Sequence, residues 1–131
     1  MTTPAEVGLA RWHDAVAARD AGMLPGMIAQ DAVFRSPAVH TPQAGRDLVV
    51  SYLSAAFVVL GPALTYHDEW VRDADAVLRF TTVIDGLEVE GIDLIRWDAD
   101  GLIADFTVMV RPYKGLEALI GAMAAELFRE R

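Results

Sequence analysis

The chain has 131 residues, 53% of them hydrophobic, and a formal net charge of −8. That length suits one domain over residues 1–131 with a full core, and the apolar excess leaves side chains over to line a pocket or an interface. The acidic balance, with no basic stripe, excludes nucleic acid and anionic membranes as natural partners, and the lack of cysteine excludes disulfides and thiolate chemistry and fits a cytoplasmic protein.

The N-terminal residues lack a basic segment followed by an apolar run, so no signal peptide is read there. The longest apolar run, Val49 to Leu64, is cut by Ser51, Tyr52, Ser54 and Gly61-Pro62. It is too short and too interrupted to span a bilayer.

In chain order, Thr3-Pro4-Ala5-Glu6 is a helix start, with Thr3 as cap, Pro4 in the first turn and Glu6 placed to close a capping box. Leu9, Trp12 and Val16 then recur on one face, and the helix is predicted to run to about Arg19. Asp20 caps a short second helix from Met23 to Ala29, or one that begins at Pro25, because proline removes an N–H. The run from Asp31 to Ser36 reads as a strand closed by Ser36-Pro37, with Phe34 and Ser36 on one face. A loop braced by Pro37 and Pro42 follows. Gly45 opens a helix carrying Val49, Tyr52, Leu53, Ala56 and Leu60 as a stripe, and Gly61-Pro62 stops it.

The second half is rich in β-branched and aromatic runs of strand length, near 63–71, 76–84, 87–97 and 102–110. Asp85-Gly86 and Asp100-Gly101 are hairpin turns between them. Pro112 begins a last helix with Leu116, Ile120, Met123 and Leu127 at helical spacing. The predicted fold is α+β: a cone-shaped, curved antiparallel sheet wrapped around N-terminal helices, with a C-terminal helix and a cavity between sheet and helices.

The stretches ARWHDAVAARDAGMLPGMIAQDAVFRSP, VFRSPAVHTPQAGRDLVVSYL and VEGIDLIRWDADGLIADFTVMVRPYKGLEAL resemble the nuclear transport factor 2-like superfamily. That group includes ketosteroid isomerase, SnoaL-like polyketide cyclases, scytalone dehydratase and limonene epoxide hydrolase. The pattern is most similar to an uncharacterised subgroup sharing the Ser-Pro, the His-Thr-Pro and the VMVRP strand end. The resemblance implies the fold more than an activity, because this fold hosts many chemistries. Asp93 falls where ketosteroid isomerase keeps a protonated aspartic acid facing the developing oxyanion. Ser36 falls on that family's general base and Trp12 on its oxyanion-hole tyrosine. A serine cannot act as that base, so the resemblance does not carry steroid isomerisation with it. It implies a homodimer paired through the outer face of the sheet, where Thr107 and Met109 lie.

Alternation supplies a pocket list. Val89, Gly91, Asp93, Ile95 and Trp97 share the more apolar face of their strand, taken as the concave one. Leu78, Phe80 and Thr82 join them from the preceding strand, and Phe106, Val108 and Val110 from the following one. Trp12, Val16, Phe34, Ser36 and Tyr52 complete the wall. Such a cavity, mostly hydrocarbon with a few polar points, fits a small hydrophobic molecule.

Asp93 is the sharpest feature, since burial disfavours its charge. It reads either as an acid–base group or as a buried aspartate satisfied for structural reasons. His40 reads either as a proton carrier at the cavity mouth or as a histidine that holds its loop. His67 reads as a second candidate proton carrier, with its strand face left open by alternation. Ser36 can pair with His40 in composition, yet no nucleophile elbow surrounds it. Arg111 reads as an ion-paired strand end. The histidines have no metal-ligand spacing, the Asp98 turn fails the calcium-loop pattern, and no phosphate loop or dinucleotide fingerprint is present.

Three functions fit these residues. The first is cofactor-free proton transfer (isomerisation, cyclisation or dehydration) on a small carbonyl or enolisable compound, through Asp93 with His40 or His67. The second is a non-catalytic module that binds a hydrophobic ligand. The third is a protein-interaction scaffold.

Overall fold

The computed structural model describes residues 2–129. Helix α1 runs Pro4–Ala18. Thr3 Oγ1 accepts the Glu6 N–H at 3.2 Å, a cap that contributes about 1 kcal/mol. Arg19 ends the helix in the left-handed region, φ 49°. The expected short helix from Met23 to Ala29 is instead two single 3₁₀ turns, Ala21–Met23 and Pro25–Met27. Asp20 does cap the first turn, through Gly22 N–H. Extended structure then begins at Ile28, because Ile28 and Ala32 are drawn into the core of the sheet.

Six strands follow: β1 Ile28–Arg35, β2 Gln43–Ala44, β3 Thr65–Val71, β4 Asp75–Ile84, β5 Leu87–Trp97 and β6 Ile103–Arg111. Helix α2 spans Arg46–Leu60 and α3 spans Tyr113–Arg129. The sheet order is β2-β1-β6-β5-β4-β3. The stretch from β3 to β6 is the predicted meander, and its Asp85-Gly86 turn has the paired positive φ values, 52° and 76°, of a tight hairpin. Two features were not expected from the sequence. The two-residue β2 pairs back on β1, and β1 lies parallel to β6.

Alternation holds closely on β5, where Val89, Gly91, Asp93, Ile95 and Trp97 are buried between more exposed neighbours. That face curves around α1 and α2. The main core gathers Leu9, Trp12, Phe34, Leu53, Ile95 and Phe106. A second cluster, Ile84, Val89 and Leu119, anchors the first turns of α3 on the sheet. Gly8 lets α1 approach the sheet, since a Cβ there would sit 2.1 Å from Trp97 Nε1.

The outer face carries ion pairs between Arg79 and both Asp68 and Glu90, and between Arg111 and Glu90. The pairing of Arg111 with β5 agrees with its reading as an ion-paired strand end. Among the described residues no helix is long and apolar enough to cross a membrane.

Candidate active site

Between the concave face and the helices lies a cavity of about 260 Å³. Helix α1 contributes Trp12 and Val16, and β1 with its loop contributes Phe34, Ser36, Pro37, Ala38 and Val39. Helix α2 supplies Tyr52, Leu53, Ala56, Phe57 and Leu60, with Leu64 just beyond it. The sheet supplies Tyr66, Phe80, Asp93, Phe106 and Val108, and α3 closes the space with Leu119, Ile120, Met123, Ala124 and Leu127.

The aromatic walls brace one another. Phe34 stacks on Tyr52 with centroids 5.4 Å apart, and Trp12 packs on Phe106 at 5.0 Å. Ser36 accepts the Ala38 N–H at 3.0 Å, which fixes the loop that forms part of the wall. No lysine, arginine or histidine lines the cavity among the described residues.

The polar centre is a chain of three side chains. Trp12 Nε1–H donates to Tyr66 Oη at 3.1 Å, and Tyr66 O–H donates to Asp93 Oδ2 at 2.6 Å. Asp93 is only 4% exposed, and burial pushes its carboxyl up to about 7, with the Tyr66 hydrogen bond pulling it back down. Burial, then the neighbouring Asp93 charge, pushes the Tyr66 phenol well up. It therefore stays a donor. Among the described residues Asp93 Oδ1 has no hydrogen-bond partner, so one oxygen is held and the other is available to a ligand.

Alternation left the faces of β3 open, and a bulge explains why. Tyr66 pairs with Phe80 and Asp68 pairs with Arg79, so His67 is the extra residue. Tyr66 and Glu69 consequently share the concave side, although simple alternation separates them. Glu69 Oε1 there meets His13 Nε2 in a hydrogen bond.

The structure brings together nine of the expected residues: Trp12, Val16, Phe34, Ser36, Tyr52, Phe80, Asp93, Phe106 and Val108 all line the cavity. The others lie elsewhere, each for a physical reason. Leu78 and Ile95 are fully buried in the main core, Val89 is buried in the α3 cluster, and Thr82 is buried with its hydroxyl donated to the Leu60 carbonyl. Gly91 is covered by Phe80, whose Cζ a Cβ would meet at 2.6 Å. Trp97 is packed beneath Gly8, and Val110 packs against the α3 cluster. His40 is exposed in its loop. His67 is exposed, with Nε2 2.6 Å from Thr81 Oγ1 on the outer side of β4. Neither histidine lines the cavity. Sequence reasoning did not place Tyr66 in the pocket, nor the inner residues of α2 from Leu53 to Leu60, nor the α3 wall from Leu119 to Leu127; Tyr66 is the polar one among them.

Residues 9–106 match the model of the SnoaL-like domain. Among curated proteins none matches the chain. Among solved structures, a steroid delta-isomerase from Pseudomonas aeruginosa is 40% identical, with TM-score 0.93, covering 97% of this chain and 93% of its own. A nuclear transport factor 2-like protein of unknown function from Mesorhizobium loti is 26% identical, with TM-score 0.72 over 83% of this chain and 91% of its own. A Mycobacterium tuberculosis protein in complex with estradiol-17β-hemisuccinate shares the fold at 16% identity, TM-score 0.66, over 85% of this chain and 100% of its own. With its family match over residues 9–106 and a neighbour 40% identical over nearly its whole length, the chain belongs to the SnoaL-like domain family and has the nuclear transport factor 2-like fold.

Proposed function

We propose that this protein is a cofactor-free enzyme that moves a proton on a small, largely apolar carbonyl compound, in an isomerisation, cyclisation or dehydration. The observation that supports it is one buried carboxyl on the wall of an apolar cavity, with Oδ2 held by a phenol. As a carboxylate, Asp93 takes a proton from the carbon next to the carbonyl. As an acid, it returns that proton to the enolate at another carbon. A pKa near 7 suits both halves, because both forms are present at neutral pH. Tyr66 and Trp12 are positioning residues that fix the carboxyl. Ser36 and Tyr52 bring the hydroxyls that hydrogen-bond the developing enolate oxygen.

The Pseudomonas aeruginosa neighbour is described as a steroid delta-isomerase. Proton transfer is what we carry from it to this chain, and the steroid is left behind. We place the enzyme in the cytoplasm, as a homodimer paired through the outer face of the sheet.

A second reading, ligand binding without chemistry, is favoured by one observation. Position 36 is serine, and the titratable groups lining the cavity among the described residues are Asp93, Tyr66 and Tyr52 alone. Deuterium uptake from heavy water into cyclic ketones, followed by NMR, separates the two. We expect wild type, H40A and H67A to catalyse exchange and D93N to lose it by at least a hundredfold while still binding ketone. Exchange that survives in D93N contradicts the enzyme reading, and binding with no exchange in any variant favours the module.

A further inference from the structure

The proton-transfer reading leaves the substrate's size and orientation open, and the cavity constrains both. A dry apolar cavity of about 150 Å³ holds benzene, so by proportion one of this volume holds about ten non-hydrogen atoms. That matches a bicyclic ketone in the enclosed part, and a steroid nucleus would extend beyond it past the exposed lining residues Val39 and Ile120. The walls carry no cation among the described residues, so a phosphate or carboxylate on the ligand would be desolvated without a partner. The ligand is therefore neutral.

Its orientation follows from the sheet. Asp93 faces α1 through Tyr66 and Trp12, whereas α3 is seated on Val89. The four-residue step between Asp93 and Val89 is about 13 Å along the strand. The polar end of the cavity and the α3 end are thus opposed. Helix α3 is anchored through Leu119, while Met123 and Leu127 further along it line the cavity and are half-buried.

We propose that the site takes a neutral bicyclic ketone of about ten non-hydrogen atoms, carbonyl toward Asp93 and hydrocarbon toward α3, and that Met123 and Leu127 set this length limit. The proposal rests on the proton-transfer reading only for the ketone. The size limit stands on cavity shape.

The test is tryptophan-fluorescence titration, since Trp12 lines the cavity, with cyclohexanone, a decalone and a β,γ-unsaturated steroid ketone. We expect wild type to bind the decalone at least tenfold more tightly than either of the others. L127A and M123A/L127A are expected to improve steroid binding at least tenfold. A124F, which adds bulk to the same wall from an exposed position, is expected to weaken decalone binding and spare cyclohexanone. Steroid binding as tight as decalone binding in wild type overturns the proposal. So does an unchanged size preference in L127A and A124F, both checked for folding by thermal melt, or no ketone binding at all. If the size order holds but no ketone exchanges protons, the enzyme reading fails while the size limit stands. If exchange is catalysed equally on the steroid, the size limit fails and the enzyme reading stands.

Discussion

Tyr66 donates its phenolic hydrogen to Asp93 Oδ2 across 2.6 Å while accepting the Trp12 N–H. This bond joins an edge strand to a central one and leaves Asp93 Oδ1 without a hydrogen-bond partner among the described residues. Removing it has two separable effects. Y66F leaves Trp12 Nε1 and Asp93 Oδ2 without their partner, a loss of about 1–3 kcal/mol. Because the Tyr66 bond lowers the Asp93 pKa, Y66F is also expected to move the Asp93 midpoint above its wild-type value of about 7. A carbon-13 carboxyl titration by NMR reads that shift, and a midpoint that falls or stays put contradicts the geometry.

D93N is expected to make the fold more stable above neutral pH. The sign follows from linkage: the folded-state pKa, about 7, lies above the ordinary carboxyl value of 3.8. Between these values the folded state holds a proton that the unfolded chain has released, so wild-type stability from this group is present at low pH and is lost as pH rises to 7. An asparagine has no such loss and still accepts from Tyr66. The stability difference between D93N and wild type should grow from near zero at about pH 4 to as much as about 4 kcal/mol at about pH 8. Denaturant melts of both proteins at those two pH values read it.

Gly91 is small because its space is taken. A Cβ there would sit 2.6 Å from the Met109 carbonyl oxygen and 2.6 Å from Phe80 Cζ. G91A is expected to destabilise by about 1–3 kcal/mol and to push the Phe80 ring into the cavity. A thermal melt with a decalone titration should show both a lower Tm and weaker binding. A lower Tm with unchanged affinity would mean the strain is relieved toward Met109 instead.

The outer face bears on the proposed homodimer. Leu94 and Met109 are exposed there, at 37% and 53%. Analytical ultracentrifugation is expected to give a dimer for wild type and a monomer for L94E/M109E. A wild-type monomer removes this part of the proposal.

Much of the fold was legible because its signals are local. Asp85-Gly86 demands positive φ, Thr3 and Pro4 mark a helix start, and alternation on β5 places Asp93 inward. The parallel pairing of β1 with β6 was not legible, because residues such as Phe34 and Phe106 meet across a long sequence separation. The short β2 has too few residues to carry a period. At the site, alternation found Asp93, Phe80 and Phe106, and it failed at β3, where the bulge at His67 breaks the period and turns Tyr66 inward. His40 was legible in its proline-braced loop and His67 on a strand, but nothing local reveals that the loop leaves His40 exposed or that His67 lies on the outer side of the sheet. Gly91 and Trp97 share the right face, but tight packing by Phe80 and Gly8 keeps them from the cavity.

If Asp93 is the proton-transfer group, its ionisation governs the reaction. The most direct measurement is the pH dependence of decalone α-proton exchange by wild-type protein under conditions where free enzyme limits the rate. We expect kcat/KM to rise with pH through a single midpoint near 7, the value at which Asp93 ionises, and we expect Y66F to shift that midpoint upward. A profile that is flat from pH 5 to pH 9, roughly two units either side of that midpoint, or one whose midpoint does not move in Y66F, contradicts it.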